Sequence, residues 1–334
     1  MTKYQIKRFM LDRIGYLDKQ WRRLAPGLYA FNYHRIGNPD ETEFDPNVFS
    51  CDSQHFRTQL ELIKSRFRII GVQELLELVA SNEPPSEALA LITFDDGYAD
   101  NHRNALPILL ELQSQALFFL PTDFIESEKI PWWDEAAWLV RKSKHSTIRL
   151  PGLNEVIDRD RNGVAESIRS VLRYFKNNTQ YSIVEKLALL EIACELSLDP
   201  SVTPSLFLSW KQVGEMLERG MGIGSHTCSH RILSHISAYE QQSELTRSKL
   251  TIEKHTGCSV STLAYPVGGL DSYTEETRRL AGEAGYLAAF NFIKGGGYNT
   301  NPSSNKFDLV RIPVHFQASA ADIKLTVIGV PPRN

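Results

Sequence analysis

The stretch ALALITFDDGYAD, residues 88–100, places an uninterrupted apolar run directly before two adjacent carboxylates and a glycine. Such a run is typical of a strand buried on both faces, as in a parallel sheet covered by helices. Asp95 and Asp96 then fall where the strand ends and a loop begins. Because like charges this close repel, we expect a cation or a set of hydrogen-bond donors to hold them.

Seven further apolar runs have the same character, and amphipathic segments of helix length separate most of them. These runs lie at 28–33, 67–70, 116–121, 222–226, 263–266, 287–291 and 309–314. Alternating strands and helices predict a parallel sheet with helical cover. The number of units predicts an α/β fold, a distorted or incomplete (β/α) barrel of seven to eight parallel strands.

Two segments depart from this alternation. Residues from about 132 to 210 are largely helical in pattern, and we interpret them as an insertion within a barrel domain that spans 27–334. Residues 1–26 predict a basic amphipathic helix that ends before Pro26. Its apolar stripe either docks on the barrel or lies on an anionic membrane surface.

The composition bounds the choice of partners and location. With 37 Lys and Arg against 40 Asp and Glu, the net charge of -3 predicts no nucleic-acid partner. The four cysteines are scattered and form no CxxC pair, the N-terminal segment has no continuous apolar core like that of a signal peptide, and no apolar run approaches the length of a membrane span. We therefore expect a cytoplasmic location, with peripheral contact at the inner membrane face as the alternative that the N-terminal helix leaves open.

Polar residues gather directly after the predicted strands, where a parallel barrel forms its active site. They are Asn32, Tyr33, His34, Asp95, Asp96, Ser225, His226, His230, Tyr265, Pro266 and His315. His226 and His230 are four residues apart, which on a helical turn would put both imidazoles on one face. With one aspartate they make a three-ligand set that is typical of a catalytic metal. Histidines that only cap a helix or bond within the core are the alternative.

Four motifs occur in order along the chain: TFDDGYADN (93–101), GIGSHTCSH (222–230), LAYPVGG (263–269) and RIPVH (311–315). Together they resemble the polysaccharide deacetylases of the NodB-homology type, carbohydrate esterase family 4, over roughly residues 28–316. The segment FNYHRIG (31–37) further resembles the branch that includes poly-N-acetylglucosamine deacetylases.

The resemblance implies a role for each matching residue. Asp96, His226 and His230 would bind a divalent transition metal, with zinc first and cobalt, nickel or manganese as alternatives. Asp95 would be the base that accepts a proton from the attacking water, and His315 would protonate the departing nitrogen. The metal and a backbone N–H near Pro266 would hold the oxyanion.

One position departs from the family pattern. Many members carry an arginine that orients the catalytic aspartate where this chain has Ala264. Arg311 is the predicted substitute.

Other residues are candidates for contact with a sugar. Trp132, Trp133 and Asp134 could present aromatic and polar surface at the barrel mouth, or they could anchor the helical insertion. His34 would contact the substrate or hydrogen-bond a residue that binds the metal. The same two interpretations stay open for the two tyrosines, Tyr98 and Tyr265, and Pro266 and Arg311 complete the predicted substrate side.

The sequence therefore predicts a metal-dependent hydrolase that removes N-acetyl groups from an amino sugar in a polysaccharide, an oligosaccharide or a lipid-linked glycan. One alternative keeps the fold and metal but cleaves O-acetyl esters or another amide. The other is a sugar-binding module without catalysis, which the retention of Asp95 and of all three metal ligands disfavours.

Overall fold

A computed structural model describes residues 3–81, 83–153, 155–199, 206–293 and 295–333. These residues divide into two compact units. The first comprises the described residues of Met1–Gly37, Ser50–Glu126 and Leu206–Asn334, and the second comprises those of Asn38–Phe49 and Ser127–Ser205.

The strands are short and the helices are of ordinary length. The strands are β1 Gly27–Tyr33, β2 Arg35–Ile36, β3 Phe49–Cys51, β4 Arg68–Ile69, β5 Ala88–Phe94, β6 Leu117–Leu120, β7 Thr147–Ile148, β8 Ile157–Asp158, β9 Gly222–Ser225, β10 Thr262–Ala264, β11 Ala288–Phe290, β12 Tyr298–Asn299, β13 Arg311–Pro313 and β14 Pro332–Arg333. The α-helices are α1 Lys3–Arg13, α2 Tyr16–Trp21, α3 Ser53–Lys64, α4 Val72–Ala80, α5 Leu106–Glu111, α6 Trp132–Lys142, α7 Arg159–Asn162, α8 Val164–Asn177, α9 Ile183–Cys194, α10 Trp210–Glu218, α11 Ala238–Thr256, α12 Glu275–Glu283 and α13 Ala320–Gly329.

The main sheet of the first unit is curled and mostly parallel. Its strands follow the order β11-β10-β9-β6-β5-β1, and β13 pairs with β1 on the far side in parallel register. A single parallel bridge joins Phe290 of β11 to Leu309, two residues before β13. Among the described residues the sheet therefore closes through this single residue pair, which confirms the predicted α/β class and the incomplete (β/α) barrel.

The inner face of this sheet is apolar along most of its depth. One buried cluster takes alternate residues of the strands together with residues around α4: Leu28, Ala30, Leu89, Leu91, Leu117, Phe119, Ala264, Ala288, Phe290, Leu309, Ile70, Leu75 and Val79. Side chains two residues apart on a strand share a face. The next positions in the same alternation are Asn32, Thr93, Asp95 and Arg311, so the inner face turns polar at the carboxyl ends of the strands.

Gly224 keeps the inner face narrow enough to pack. A Cβ at this position would lie 2.6 Å from both the Phe119 ring and the Thr262 hydroxyl oxygen. Any larger residue would push β9 away from its neighbours. Since His226 follows two residues later, Gly224 also sets the depth at which that imidazole enters the barrel.

The N-terminal segment forms two helices in place of the one predicted over 1–26. Gly15 takes a left-handed conformation, with φ of 68°, between α1 and α2. Leu17 and Trp21 are buried, and Trp21 meets the ring of Phe67 edge-on at 5.4 Å. Docking on the barrel therefore accounts for α2, and Met1 and Thr2 lie outside the described residues.

The second unit is mainly helical, and it covers most of the stretch of about 132–210 that we interpreted as an insertion. It contains α6 to α9 and takes in residues 38–49 from earlier in the chain. It also contains a small antiparallel pair, β7 and β8, which the sequence pattern did not indicate. Among the described residues of the whole chain, no helix combines the length and the apolar composition that crossing a bilayer requires.

Candidate active site

Three side chains that could bind a metal ion meet at the carboxyl end of the barrel. Asp96 follows β5, and the loop after β9 carries His226 and His230. The Nε2 atoms of both histidines lie 3.5 Å from Oδ1 of Asp96. One ligand atom from each residue falls within 4.8 Å of the others, and all three side chains are buried. The structure thus brings together the three residues that the sequence predicted as metal ligands.

The two histidines do not lie on a helical turn, as their spacing had suggested. Thr227 and His230 have left-handed backbone, with φ of 66° and 55°, so the chain bends sharply between the imidazoles. Thr227 Oγ1 accepts a hydrogen bond from the His230 N–H at 3.1 Å. The prediction of the helix was wrong, although a four-residue spacing can bring two imidazoles together on a bend as well.

Glu244 of α11 holds this bend from behind. Its Oε2 accepts hydrogen bonds from the N–H groups of Cys228 and Ser229 at 2.8 and 2.9 Å, and its Oε1 accepts from the Ser229 hydroxyl at 2.6 Å. A buried carboxylate with three donors fixes the loop more firmly than neutral bonds would. Sequence reasoning missed this residue, because Glu244 lies on a different element with an ordinary helical pattern.

The chemistry of the cluster suits a divalent transition metal. The Nδ1 of His226 lies 2.7 Å from the Ala264 carbonyl oxygen, and only a protonated Nδ1 can bond there. The Nε2 lone pair of that ring is then directed toward Asp96, as a metal ligand requires. Burial lowers the pKa of His226 below its ordinary value, which favours the neutral, coordinating form. Two imidazole nitrogens and one carboxylate fit zinc and its neighbours in the first transition row.

Asp95 sits beside this cluster in a different environment. Burial alone would raise the pKa of its carboxyl group, but the positive charge of the Arg311 guanidinium reverses that effect and holds the pKa below its ordinary value. Arg311 Nη1 donates to Oδ1 at 2.7 Å, and Asn32 Nδ2 donates to Oδ2 at 3.3 Å. Asp95 is therefore ionised at neutral pH.

Arg311 is fully buried at the start of β13. Its Nη1 also donates to Oδ1 of Asn32, and its Nε donates to the Asn291 carbonyl oxygen, each at 2.8 Å. The guanidinium carbon lies 5.7 Å from the ring centres of both Phe119 and Phe292. Arg311 thus supplies the arginine–aspartate pair that Ala264 cannot make, and it faces Asp95, not open space.

His34 approaches Asp95 from the end of β1. Its Nε2 lies 4.0 Å from Oδ2 of Asp95, and its ring meets Phe292 edge-on. The backbone around it is fixed, since its N–H donates to Ser50 Oγ and its carbonyl accepts from Asn101 Nδ2. The side chain is partly exposed, so it reaches both the carboxylate and solvent.

His315 lies at the same edge but is exposed. Val314 donates its N–H to the Asn32 carbonyl oxygen, so the chain still runs alongside β1 at this point. Within the described part of the chain, no hydrogen bond or ion pair joins the His315 side chain to Asp95 or to the metal-ligand set. The assignment of His315 as the acid stays a prediction.

The predicted sugar contacts are largely buried. Asp134 is fully buried and accepts a hydrogen bond from the Asp45 N–H at 3.2 Å, both within the second unit. Trp133 is buried as well, and Trp132 stacks on Phe175 at 5.8 Å. These contacts favour the alternative in which the three residues anchor the insertion.

The two tyrosines and Pro266 are buried in the first unit. Tyr98 stacks on Phe207 at 4.8 Å and lies under the Arg35 guanidinium. Tyr265 stacks on Tyr273, and its hydroxyl donates to the Phe307 carbonyl oxygen at 2.9 Å. Packing, not substrate contact, accounts for both. Pro266 is buried next to Val267, whose backbone is left-handed with φ of 64°.

The comparisons with known proteins agree with this geometry. The family model described as polysaccharide deacetylase matches residues 82–289, more than half of the chain. The chain therefore belongs to the polysaccharide deacetylase family. The matched range includes Asp95, Asp96 and both metal-ligand histidines.

Individual relatives are distant in sequence. YxkH of Bacillus subtilis, which carries the name of a polysaccharide deacetylase, is 22% identical over 220 residues, or 66% of this chain. The match covers 50% of YxkH, so the chain spans about half the length of this curated relative.

Solved structures share the fold at greater distance. The deacetylase PplD of Streptococcus pyogenes, in complex with acetate, superposes with a TM-score of 0.60 at 19% identity and covers 91% of this chain and 99% of its own. IcaB of Ammonifex degensii gives 0.58 at 17% identity, covering 91% and 98%. The BpsB deacetylase domain of Bordetella bronchiseptica gives 0.55 at 16% identity, covering 88% and 99%. At these identities the likeness establishes the fold.

Proposed function

We propose that the protein is a metal-dependent carbohydrate deacetylase that removes N-acetyl groups from an amino sugar in a polysaccharide, an oligosaccharide or a lipid-linked glycan. The observation that carries the proposal is the ionised Asp95 carboxylate, tethered by Arg311 beside the buried Asp96, His226 and His230 set. Membership of the polysaccharide deacetylase family supports the substrate class.

The residues divide the work by position. Asp96, His226 and His230 would hold a divalent cation, with zinc as the first choice. When bound, the cation supplies positive charge that polarises the acetyl carbonyl and makes water more acidic. Asp95 accepts the proton of the attacking water through Oδ2, because Oδ1 is held by the Arg311 guanidinium at 2.7 Å.

Amide cleavage also needs a donor, since an amine anion is a poor leaving group. Two histidines at the rim are candidates. His34 lies 4.0 Å from Asp95 and is fixed by its backbone, so its geometry suits the role better than that of the exposed His315. The N–H of Val267 is the candidate donor to the oxyanion.

Acetate release from chitooligosaccharides, measured with and without a chelator, tests the proposal. We expect activity to disappear with the chelator and to return when zinc is added. Asp95→Asn should lower kcat by about 10³-fold while zinc still binds, because the base is neutralised but the ligands remain. Asp271→Asn, which changes an exposed carboxylate, is the matched control and should keep full activity.

The same panel separates the alternatives. Faster acetate release from O-acetyl xylan than from chitooligosaccharides would replace the N-deacetylase by an esterase. Turnover of an allantoin-like cyclic amide, with no acetate released, would indicate another amide. Sugar binding that is unchanged in Asp95→Asn, with no turnover of any substrate by the unmodified protein, would indicate a binding module.

A further inference from the structure

The apolar side chains of the N-terminal helices divide into a covered and an uncovered group. Leu17 and Trp21 are buried, whereas Phe9, Met10 and Ile14 are 53%, 61% and 74% exposed. The N–H of Ile14 still donates to the Met10 carbonyl oxygen, so the helical path continues and these two side chains lie one turn apart. We call Phe9, Met10 and Ile14 the α1 patch.

Ion pairs hold the helices in one orientation. The Arg8 guanidinium donates to both carboxylate oxygens of Asp322 in α13, at 2.8 and 2.7 Å. Asp18 of α2 pairs with Lys324, which also lies in α13. The α1 patch is thus exposed on a segment that is already fixed to the barrel unit by other side chains.

The charge around the patch is opposite to that of the rest of the chain. Residues 1–26 contain seven Lys and Arg against two Asp, a local charge of +5 in a chain of net charge -3, so the remaining residues carry -8. The exposed basic residues of this N-terminal segment include Arg13, Lys19, Arg22 and Arg23. The Arg13 guanidinium lies 5.8 Å from the centre of the Phe9 ring, which joins the charge to the patch itself.

We propose that this segment holds the protein on an anionic membrane surface. The α1 patch enters the boundary between headgroups and acyl chains, and the flanking basic residues contact lipid phosphates. Charge complementarity selects this occupant, because a local charge of +5 is attracted to anionic headgroups although the whole chain is acidic. The inference is independent of the proposed deacetylation.

Vesicle flotation of the full chain tests it. We expect binding to vesicles in which about one third of the lipid is phosphatidylserine, none to phosphatidylcholine alone, and weakening as salt is added. The triple variant Phe9→Ser, Met10→Ser, Ile14→Ser should bind at least about tenfold more weakly, because three apolar side chains leave the interface. The double variant Arg22→Glu, Arg23→Glu should also lose at least about tenfold.

A matched triple variant removes apolar surface elsewhere. Tyr239→Ser, Leu250→Ser, Leu287→Ser alters side chains that are 84%, 57% and 48% exposed and should bind vesicles as the unmodified protein does. Thermal midpoints of all variants establish that each is folded. Absence of binding by the unmodified protein, or equal losses in both triple variants, would overturn the proposal. So would a change of oligomeric state in light scattering that is caused by the α1 variant alone, since the patch would then face a second copy.

Discussion

The inner face of the barrel and its carboxyl-terminal rim are made by the same strands but differ in backbone and in charge. Within the interior, Leu28, Leu91 and Phe290 are apolar strand residues that pack against one another. At the rim, buried ionisable groups accumulate. Of the eight non-glycine residues with positive φ in the described chain, four lie there: Asp96, Thr227, His230 and Val267.

This difference places conformational strain at the site and not in the core. A non-glycine residue in left-handed backbone costs about 1–3 kcal/mol, most for a β-branched side chain such as that of Val267. Burial of the apolar cluster below the rim stabilises the fold enough to offset that free-energy cost. The rim is therefore fixed for geometry at the expense of stability, as is common for sites that must hold groups in place before reaction.

Removal of Arg311 should have the largest effect on the rim, in both stability and the pH dependence of activity. In Arg311→Met the Asp95 carboxylate stays buried without the guanidinium that neutralises it, so we expect a loss of about 3–5 kcal/mol in unfolding free energy.

The same variant should raise the pKa of Asp95, because no arginine then opposes the effect of burial on that pKa. In the unmodified protein, the low pKa of Asp95 stabilises the fold at any pH above the ordinary carboxyl pKa of the unfolded chain. This contribution is lost as the pH falls through the pKa of Asp95 in the folded protein. In the variant, the acidic limb of kcat/KM should move to higher pH, which a pH–rate profile measures.

Arg159→Met is the control for lost stability alone. Arg159 is a partly buried arginine of the second unit that donates to the carbonyls of Val140, Arg141 and Ser143. Its removal should lower the melting temperature without moving the acidic limb. An unchanged pH profile in Arg311→Met would contradict the tethering of Asp95.

The two rim histidines provide the next test. We expect His34→Gln to lower kcat by about 10²-fold, because its imidazole lies near the base and is oriented by its backbone. His315→Gln, at an exposed position, should cost less. Both variants should bind zinc as the unmodified protein does, measured by calorimetry. The opposite order of the two losses would return the acid role to His315.

Neutralising Glu244, which lies behind the loop that carries His226 and His230, should have a moderate effect on metal binding. Glu244→Gln weakens the three hydrogen bonds that hold the bend between the histidines, so we expect zinc affinity to fall about 10–100-fold. Glu240→Gln, on the same helix, alters the capping box of α11 with Ser237 and an exposed ion pair with Arg231, and it should leave zinc affinity unchanged. Equal affinities in the two variants would mean that the bend does not depend on Glu244.

The smallest expected effect concerns strain itself. Val267→Gly relaxes a left-handed position at the rim, and we expect activity to fall by less than about tenfold as the oxyanion donor loses its fixed direction, with stability unchanged or slightly higher. Gln113→Gly relaxes a similar position, with φ of 47°, after α5. It should stabilise the protein without changing kcat. Equal kinetic effects in both variants would show that rim strain has no special role.

The sequence determined the class of fold and identified the three candidate metal ligands that the structure brings together. Apolar runs of strand length fixed the sheet, because burial of both faces leaves little choice of side chain. Asp95, Asp96, His226 and His230 were found because parallel strands bring their carboxyl ends to one edge. The predicted cytoplasmic location stays a prediction.

Only the tertiary structure decided how the rim is wired. Arg311 was predicted from the sequence as the substitute for the arginine missing at Ala264, but its contact with Asp95, 216 residues away, forms only because β13 lies beside β1 in one particular register. Glu244 and the bend that it holds likewise lie on separate elements. The register of β13 beside β1 also leaves His34 near Asp95, while His315 is exposed. Local patterns specify which face a residue occupies, but contacts between distant segments depend on strand order and register, which arise only when the whole sheet closes.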